Sequence, residues 1–171
     1  MLGQSSIKML MLVHELEKTL GIMYDLFAGR FPDHHRLWDV LRRDEKQHAE
    51  SVRMLYRLTY DGLATFDAGS IRAEAVQSII AYVNGVCDAA RRGRISEQQA
   101  LAATYDAERS LIERDIFRHF RVSEPYAHTL LHLQKDTEHH IQLSRDTLAG
   151  LLSHNRKKGH EIPYGLHQGA S

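Results

Sequence analysis

The architecture of this chain can be read outward from Trp38-Asp39-Val40-Leu41-Arg42-Arg43-Asp44-Glu45-Lys46-Gln47-His48-Ala49-Glu50-Ser51-Val52-Arg53-Met54-Leu55. Wound at about 100° per residue, Trp38, Leu41, Val52 and Leu55 share one face. Glu45 and His48 lie inside that face, spaced Glu-x-x-His, while Asp44 falls to one side. The segment is therefore an amphipathic helix with ionisable groups at the middle of its apolar stripe. Such groups are costly in a core unless they are paired or bind a metal. The question for the rest of the sequence is whether other helices supply partners at the same depth.

Proline is scarce, with only Pro32, Pro125 and Pro163, and each marks a boundary because proline breaks helix interiors. A first helix is expected over Ser5–Ala28, closed by Gly29-Arg30-Phe31-Pro32. Asp33 is the expected N-cap of a second helix reaching Tyr60, with Asp61-Gly62 as its stop. After a link near Leu63–Ser70, Ser70 caps a shorter helix ending near Ala90, with Arg91-Arg92-Gly93 as its exit. Ser96 with Gln99 forms a capping box that opens a third long helix, expected to reach Phe120. Ser123 and Pro125 start a fourth, ending near Ser153. No period-two alternation or hairpin signal argues for strands.

The expected fold class is all-α: a four-helix bundle of two antiparallel hairpins joined by one long crossover, residues 63–95, that carries the short extra helix. The bundle occupies residues 1–153, and residues 154–171 form a loosely held tail. Within the 171 residues, Lys+Arg and Asp+Glu are both 22, which argues against a nucleic-acid partner. The single cysteine, Cys87, excludes an intrachain disulfide and any cysteine-rich metal site within one chain. No apolar run approaches a membrane span, and no signal peptide is evident, so the expected compartment is cytoplasmic.

The other three long helices repeat the pattern of the second. In the first, Leu10, Val13, Leu20 and Tyr24 flank Glu17, and Glu15 points away. In the third, Leu101, Leu111 and Ile112 flank Glu108, with Asp115 and His119 on the same side. In the fourth, Leu130, Leu133, Leu148 and Leu151 share a face with Thr137 and His140. Any one inward Glu is usually a satisfied core group, and Glu-x-x-His recurs by chance on helices. Inward sets on all four helices point to a shared centre. Glu17, Glu45, His48, Glu108 and His140 supply three carboxylates and two imidazoles, a donor set suited to Fe, Mn or Zn.

With these residues in place, the sequence resembles the ferritin-like superfamily, and within it the rubrerythrin-like di-iron carboxylate proteins. The resemblance covers about residues 5–153 and rests on Glu17-x6-Tyr24, Asp44-Glu45-Lys46-Gln47-His48-Ala49-Glu50 and Ala107-Glu108-Arg109. It implies one Glu from each of two helices and Glu-x-x-His from each of the other two. The implied ligands are Glu17, Glu45, His48, Glu108 and His140, with Tyr24 hydrogen-bonding a ligand carboxylate. The fourth helix departs from this pattern, because Thr137-Glu138-His139-His140 places threonine where the family has glutamate. Reading Asp136-x-x-His139 restores a carboxylate but turns Leu133 and Leu148 away from the core, so His140 is preferred. Two ions, one ion, an asymmetric pair, and recruitment of Asp115 or Asp136 all stay open. A second departure is the absence of a rubredoxin-type domain, which needs paired C-x-x-C.

The resemblance implies a metal-dependent oxidoreductase acting on peroxide or dioxygen, or oxidising ferrous iron, with an external electron donor and two Fe per chain. The alternative is a bundle with a degenerate site acting as a non-catalytic binding, sensing or structural dimer. Iron storage would require a cage of many subunits. A homodimer is the expected assembly in the first two cases.

Overall fold

The computed structural model describes residues 4–67, 71–110 and 117–160. Five long helices dominate it: α1 (Gln4–Arg30), α2 (His35–Tyr60), α3 (Ala73–Arg91), α4 (Glu97–Glu108) and α5 (Ala127–His160). Two short strands, β1 (Ala64–Phe66) and β2 (Phe120–Val122), pair antiparallel with Thr65 opposite Arg121. The chain is therefore all-α apart from this one small ribbon. None of the described helices is long and apolar enough to cross a membrane.

Helix ends follow local chemistry where the signal is strong. The Ser96–Gln99 capping box forms with both of its bonds, Gln99 N–H to Ser96 Oγ at 3.2 Å and Ser96 N–H to Gln99 Oε1 at 2.9 Å. α2 and α3 each end on a glycine of positive φ, Gly62 at 75° and Gly93 at 69°. The next residue closes each end: Leu63 N–H bonds Leu58 C=O, and Arg94 N–H bonds Ala89 C=O, both at 2.8 Å.

Other boundaries differ from the sequence reading. Asp33 does not cap α2; it lies in a 3₁₀ turn, Pro32–His34, that precedes the helix. Ser123 precedes a second 3₁₀ turn, Glu124–Tyr126, and its hydroxyl donates to Leu63 C=O (2.8 Å) rather than capping a helix. The expected cap Ser70 lies outside the described residues, and α3 begins at Ala73. The third helix stops at Glu108 instead of reaching Phe120. Phe120 instead joins β2, where its ring packs on Phe66 at 4.5 Å, and Asp67 N–H bonds His119 C=O. A pairing between segments so far apart leaves no local period to read. α5 continues past Ser153 to His160.

α1 packs along α2 and α3, α2 along α5, and α4 along α5. The core runs between them, and its aromatic end is Tyr24, Phe27 and Trp38, with Phe27 and Trp38 edge-to-face at 5.1 Å. α3 adds only apolar groups or small ones to it, namely Val76, Ile80, Val83, Cys87 and Ala90. The charged groups of the core come from α1, α2, α4 and α5.

Candidate metal centre

Each of these four helices delivers at least one polar side chain to one buried layer. Glu17 (α1), Glu45 and His48 (α2), Glu108 (α4), and Thr137 and His140 (α5) are all buried. The helical period that aligns them with Leu20, Leu41, Leu101 and Leu133 is what carries them inward. Glu15 is exposed on the opposite side of α1, as its place on the wheel requires.

Glu45 sits between the two imidazoles. Its Oε2 lies 3.2 Å from His48 Nδ1, and its Oε1 lies 3.1 Å from His140 Nδ1. Each imidazole also has a glutamate of its own: His48 Nδ1 is 3.7 Å from Glu17 Oε2, and His140 Nδ1 is 3.5 Å from Glu108 Oε1. The rings stand 5.4 Å apart. Ligating atoms of Glu45, His48 and His140 all fall within 4.8 Å of one another. The outcome is two similar half-sites, Glu17–His48 and Glu108–His140, sharing Glu45.

Outside the layer, each Nε2 faces an aspartate. His48 Nε2 is 3.3 Å from Asp136 Oδ2, and His140 Nε2 is 3.3 Å from Asp44 Oδ2. With a metal in the layer, an aspartate accepting a hydrogen bond from Nε2–H would hold each ring in the tautomer whose Nδ1 faces inward, the arrangement by which outer carboxylates orient metal-binding histidines. Tyr24 Oη donates to Glu108 Oε1 at 2.6 Å, orienting that carboxylate in the same way.

Three buried carboxylate oxygens of the cluster have no hydrogen-bond partner among the described residues, both of Glu17 and Glu108 Oε2, while Glu45 Oε1 and His140 Nδ1 face each other at 3.1 Å. Orphaned acceptors and an inward imidazole nitrogen, gathered in one dry layer, fit divalent ions of the Fe, Mn or Zn type.

The electrostatics show how tightly these groups are coupled. Burial, and then the charge of Glu45, push the Glu17 carboxyl up to about 8, against the pull of His48. Burial also opposes charge on Glu45, but His48 and His140 outweigh it and hold that carboxyl well below the usual range. For His48, burial favours the neutral ring, yet Glu45 and Glu17 hold the proton far more strongly than usual. His140 is pushed up to about 11 by Glu108 and Glu45, again against burial.

Thr137 occupies the position three residues before His140. Its hydroxyl donates to Leu133 C=O at 2.9 Å, so it is committed to its own helix. His139 is exposed and Asp136 is half-buried, so the cluster is built in the His140 register, with Asp136 facing its outer side. Asp115 lies outside the described residues, and His119 is half-buried next to β2. Two participants escaped the sequence reading. Asp44 falls to one side of the apolar face, yet its side chain reaches His140. His132, whose Nδ1–H donates to Asp136 Oδ2 at 2.7 Å, lies outside the apolar stripe of its helix. The four-residue step His132-x3-Asp136-x3-His140 was the available signal. No protein-family model, curated protein or solved structure matches this chain.

Proposed function

We propose that the helices form a ferritin-like four-helix bundle whose buried layer holds two first-row transition ions, iron foremost, with Mn or Zn as alternatives. The reading is that of a rubrerythrin-like oxidoreductase acting on peroxide or dioxygen, or oxidising ferrous iron. The observation that carries it is Glu45, one carboxylate set between the Nδ1 atoms of two imidazoles, each with a further glutamate beside it. Bound iron would supply the one-electron steps that carboxylate and imidazole cannot. The chain's own residues do the rest. Glu17, Glu45 and Glu108 balance positive charge, His48 and His140 present fixed nitrogens, and the surrounding Leu and Val side chains keep water out. Such a protein needs an external electron donor, and the proposed assembly is a homodimer.

A second reading has support of its own. Thr137 contributes no carboxylate, and Glu45 already contacts both imidazoles at ion-pair distance. On that reading the cluster is a closed polar network inside a binding, sensing or structural dimer.

Metal content separates the two. Protein purified without added metal or chelator and analysed by inductively coupled plasma mass spectrometry should carry about two Fe or Mn per chain on the first reading. Glu45→Ala and His48→Ala should both lower that content. Unchanged stoichiometric metal in both variants, or a folded chain that ignores added Fe(II), would overturn the first reading.

A further inference from the structure

Among the described residues, three places set polar groups between the surface and the buried cluster, and their chemistry differs. The first is a groove of about 630 Å³ between α1 and α2 that has Glu17 at its floor. Its walls carry Lys18, Arg42, Lys46 and Arg53. Arg42 is paired with Asp25 and Arg53 with Glu50, whereas Lys18 and Lys46 form no ion pair among the described residues. That wall repels a divalent cation. The second approach passes Asp44, the outer partner of His140, but the Arg43 guanidinium sits on Asp44 Oδ1 at 3.0 Å. On this side the outer carboxylate is already paired with a positive charge.

The third approach passes Asp136, the outer partner of His48. Here the group on the solvent side is an imidazole. His132 is 65% exposed at its side chain and meets Asp136 Oδ2 at 2.7 Å. The same oxygen lies 3.3 Å from His48 Nε2. Asp136 itself is 25% exposed, so one carboxylate oxygen links a solvent-facing imidazole to a buried one. Imidazole and carboxylate are both ligands for first-row divalent ions, whereas guanidinium is not.

We infer that His132 and Asp136 form a surface loading station that captures a divalent transition-metal ion and passes it inward past His48. The inference rests on the metal-centre reading above. Two protein ligands grip an ion weakly and exchange it quickly, as a station on a path requires and a storage site does not. The spacing i, i+4 on α5 puts both ligands on the same side of the helix, one turn apart. Asp136 leads to His48 because α5 packs along α2 at this level. The pairing is specific to one half of the cluster, so the Glu17–His48 half is filled from this side.

The test uses the full chain, metal-free, mixed with Co(II) under anaerobic conditions, with the visible absorption of the bound ion followed in a stopped-flow instrument. Equilibrium dialysis on the same samples gives final stoichiometry and affinity. His132→Gln should slow loading several-fold and leave stoichiometry and affinity unchanged. His132→Asp, which restores a metal-ligating group, should recover most of the rate, and His132→Lys should be slower than His132→Gln. Arg43→Gln should not slow loading. Wild-type loading rates in His132→Gln and His132→Lys would overturn the loading station while leaving the metal centre intact. A lower affinity with an unchanged loading rate would also overturn it, since His132 would then act only by positioning His48 through Asp136. If the wild-type chain binds no Co(II) at equilibrium, the metal-centre reading fails first and the station falls with it.

Discussion

Filling the buried layer with metal should expel protons, and the number expelled follows from the geometry. Metal ligation needs ionised carboxylates and neutral imidazoles. In the metal-free protein Glu45 is already ionised, held so by the two imidazoles on either side of it. Glu17, pushed up to about 8, is largely protonated at pH 7. His140, at about 11, and His48, shifted in the same direction, both carry their protons there. Loading both half-sites at pH 7 should therefore release about three protons. The two halves contribute unequally: the Glu17–His48 half gives about two and the Glu108–His140 half about one, so proton count also reports which half is filled. Between pH 7 and pH 6 apparent affinity should then fall about a hundredfold at the Glu17–His48 half and about tenfold at the Glu108–His140 half, together roughly 4 kcal/mol of binding free energy.

The assay is calorimetric titration of metal-free protein with Mn(II) or Zn(II) in buffers of differing ionisation enthalpy, which yields the proton count directly. Repeating it at pH 6 gives the slope. Binding of two ions with release of less than one proton would refute this account of the cluster. So would an affinity that does not change between the two pH values, because burial would then not be storing protons on these groups.

Three further outcomes follow from the same layer. Stability of the metal-free protein should fall as the pH rises from about 5 to 8, by a few kcal/mol. A folded pKa raised from 4.5 to about 8 makes the Glu17 contribution complete below pH 4.5 and lost through pH 8. His140 continues that loss above 6.5, while Glu45 acts the other way, losing its contribution only as the pH drops below about 4.5. Thermal melts across this range check the sign, and Glu17→Gln should remove the slope between pH 5 and 7 that Glu17 supplies. Thr137→Glu should destabilise the metal-free protein by about 3 kcal/mol, since it buries another carboxylate, yet raise affinity for a second ion; melts with and without Zn(II) should shift in opposite directions. Tyr24→Phe removes the 2.6 Å bond to Glu108 and should cost about 1.5–3 kcal/mol in chemical denaturation. It should leave bound-metal stoichiometry unchanged.

Much of the layer was legible before any coordinates because burial on a helix is periodic. Glu17, Glu45, His48, Glu108 and His140 each share a stripe with several leucines or valines, and a wheel assigns them inward without knowledge of the neighbours. The choice of His140 over His139 came from the same stripe through Leu133, and His139 is indeed exposed. Glycine exits and the capping box were legible for a related reason, since their bonds join residues only a few positions apart. The end of α4 was not. Nothing between Ser96 and Phe120 breaks a helix, and what draws Phe120 out of one is its pairing with Phe66 on a distant segment. Asp44 and His132 were missed because a wheel sorts residues into inside and outside. Both sit on the margin, with a backbone outside the apolar stripe and a side chain that leans toward a buried imidazole or its partner.

That margin is where the two halves of the layer diverge. Within the layer they match closely: each has one glutamate, one Nδ1 and a share of Glu45. Outside it, Asp44 is covered by Arg43, whereas Asp136 is joined to His132. Tyr24 steadies Glu108, while both Glu17 oxygens lack a hydrogen-bond partner among the described residues. Glu17 and His48, both buried, therefore belong to the less braced half, with the groove beyond Glu17 on one side and the His132–Asp136 pair beyond His48 on the other. Glu108 and His140 belong to the braced half, where a tyrosine holds Glu108 and a guanidinium pairs with Asp44. Thr137, on α5 beside His140, removes a carboxylate from a layer whose groups are already strongly coupled by charge. On the metal-centre reading, one half is then made to hold and the other to exchange, and Thr137 marks that asymmetry.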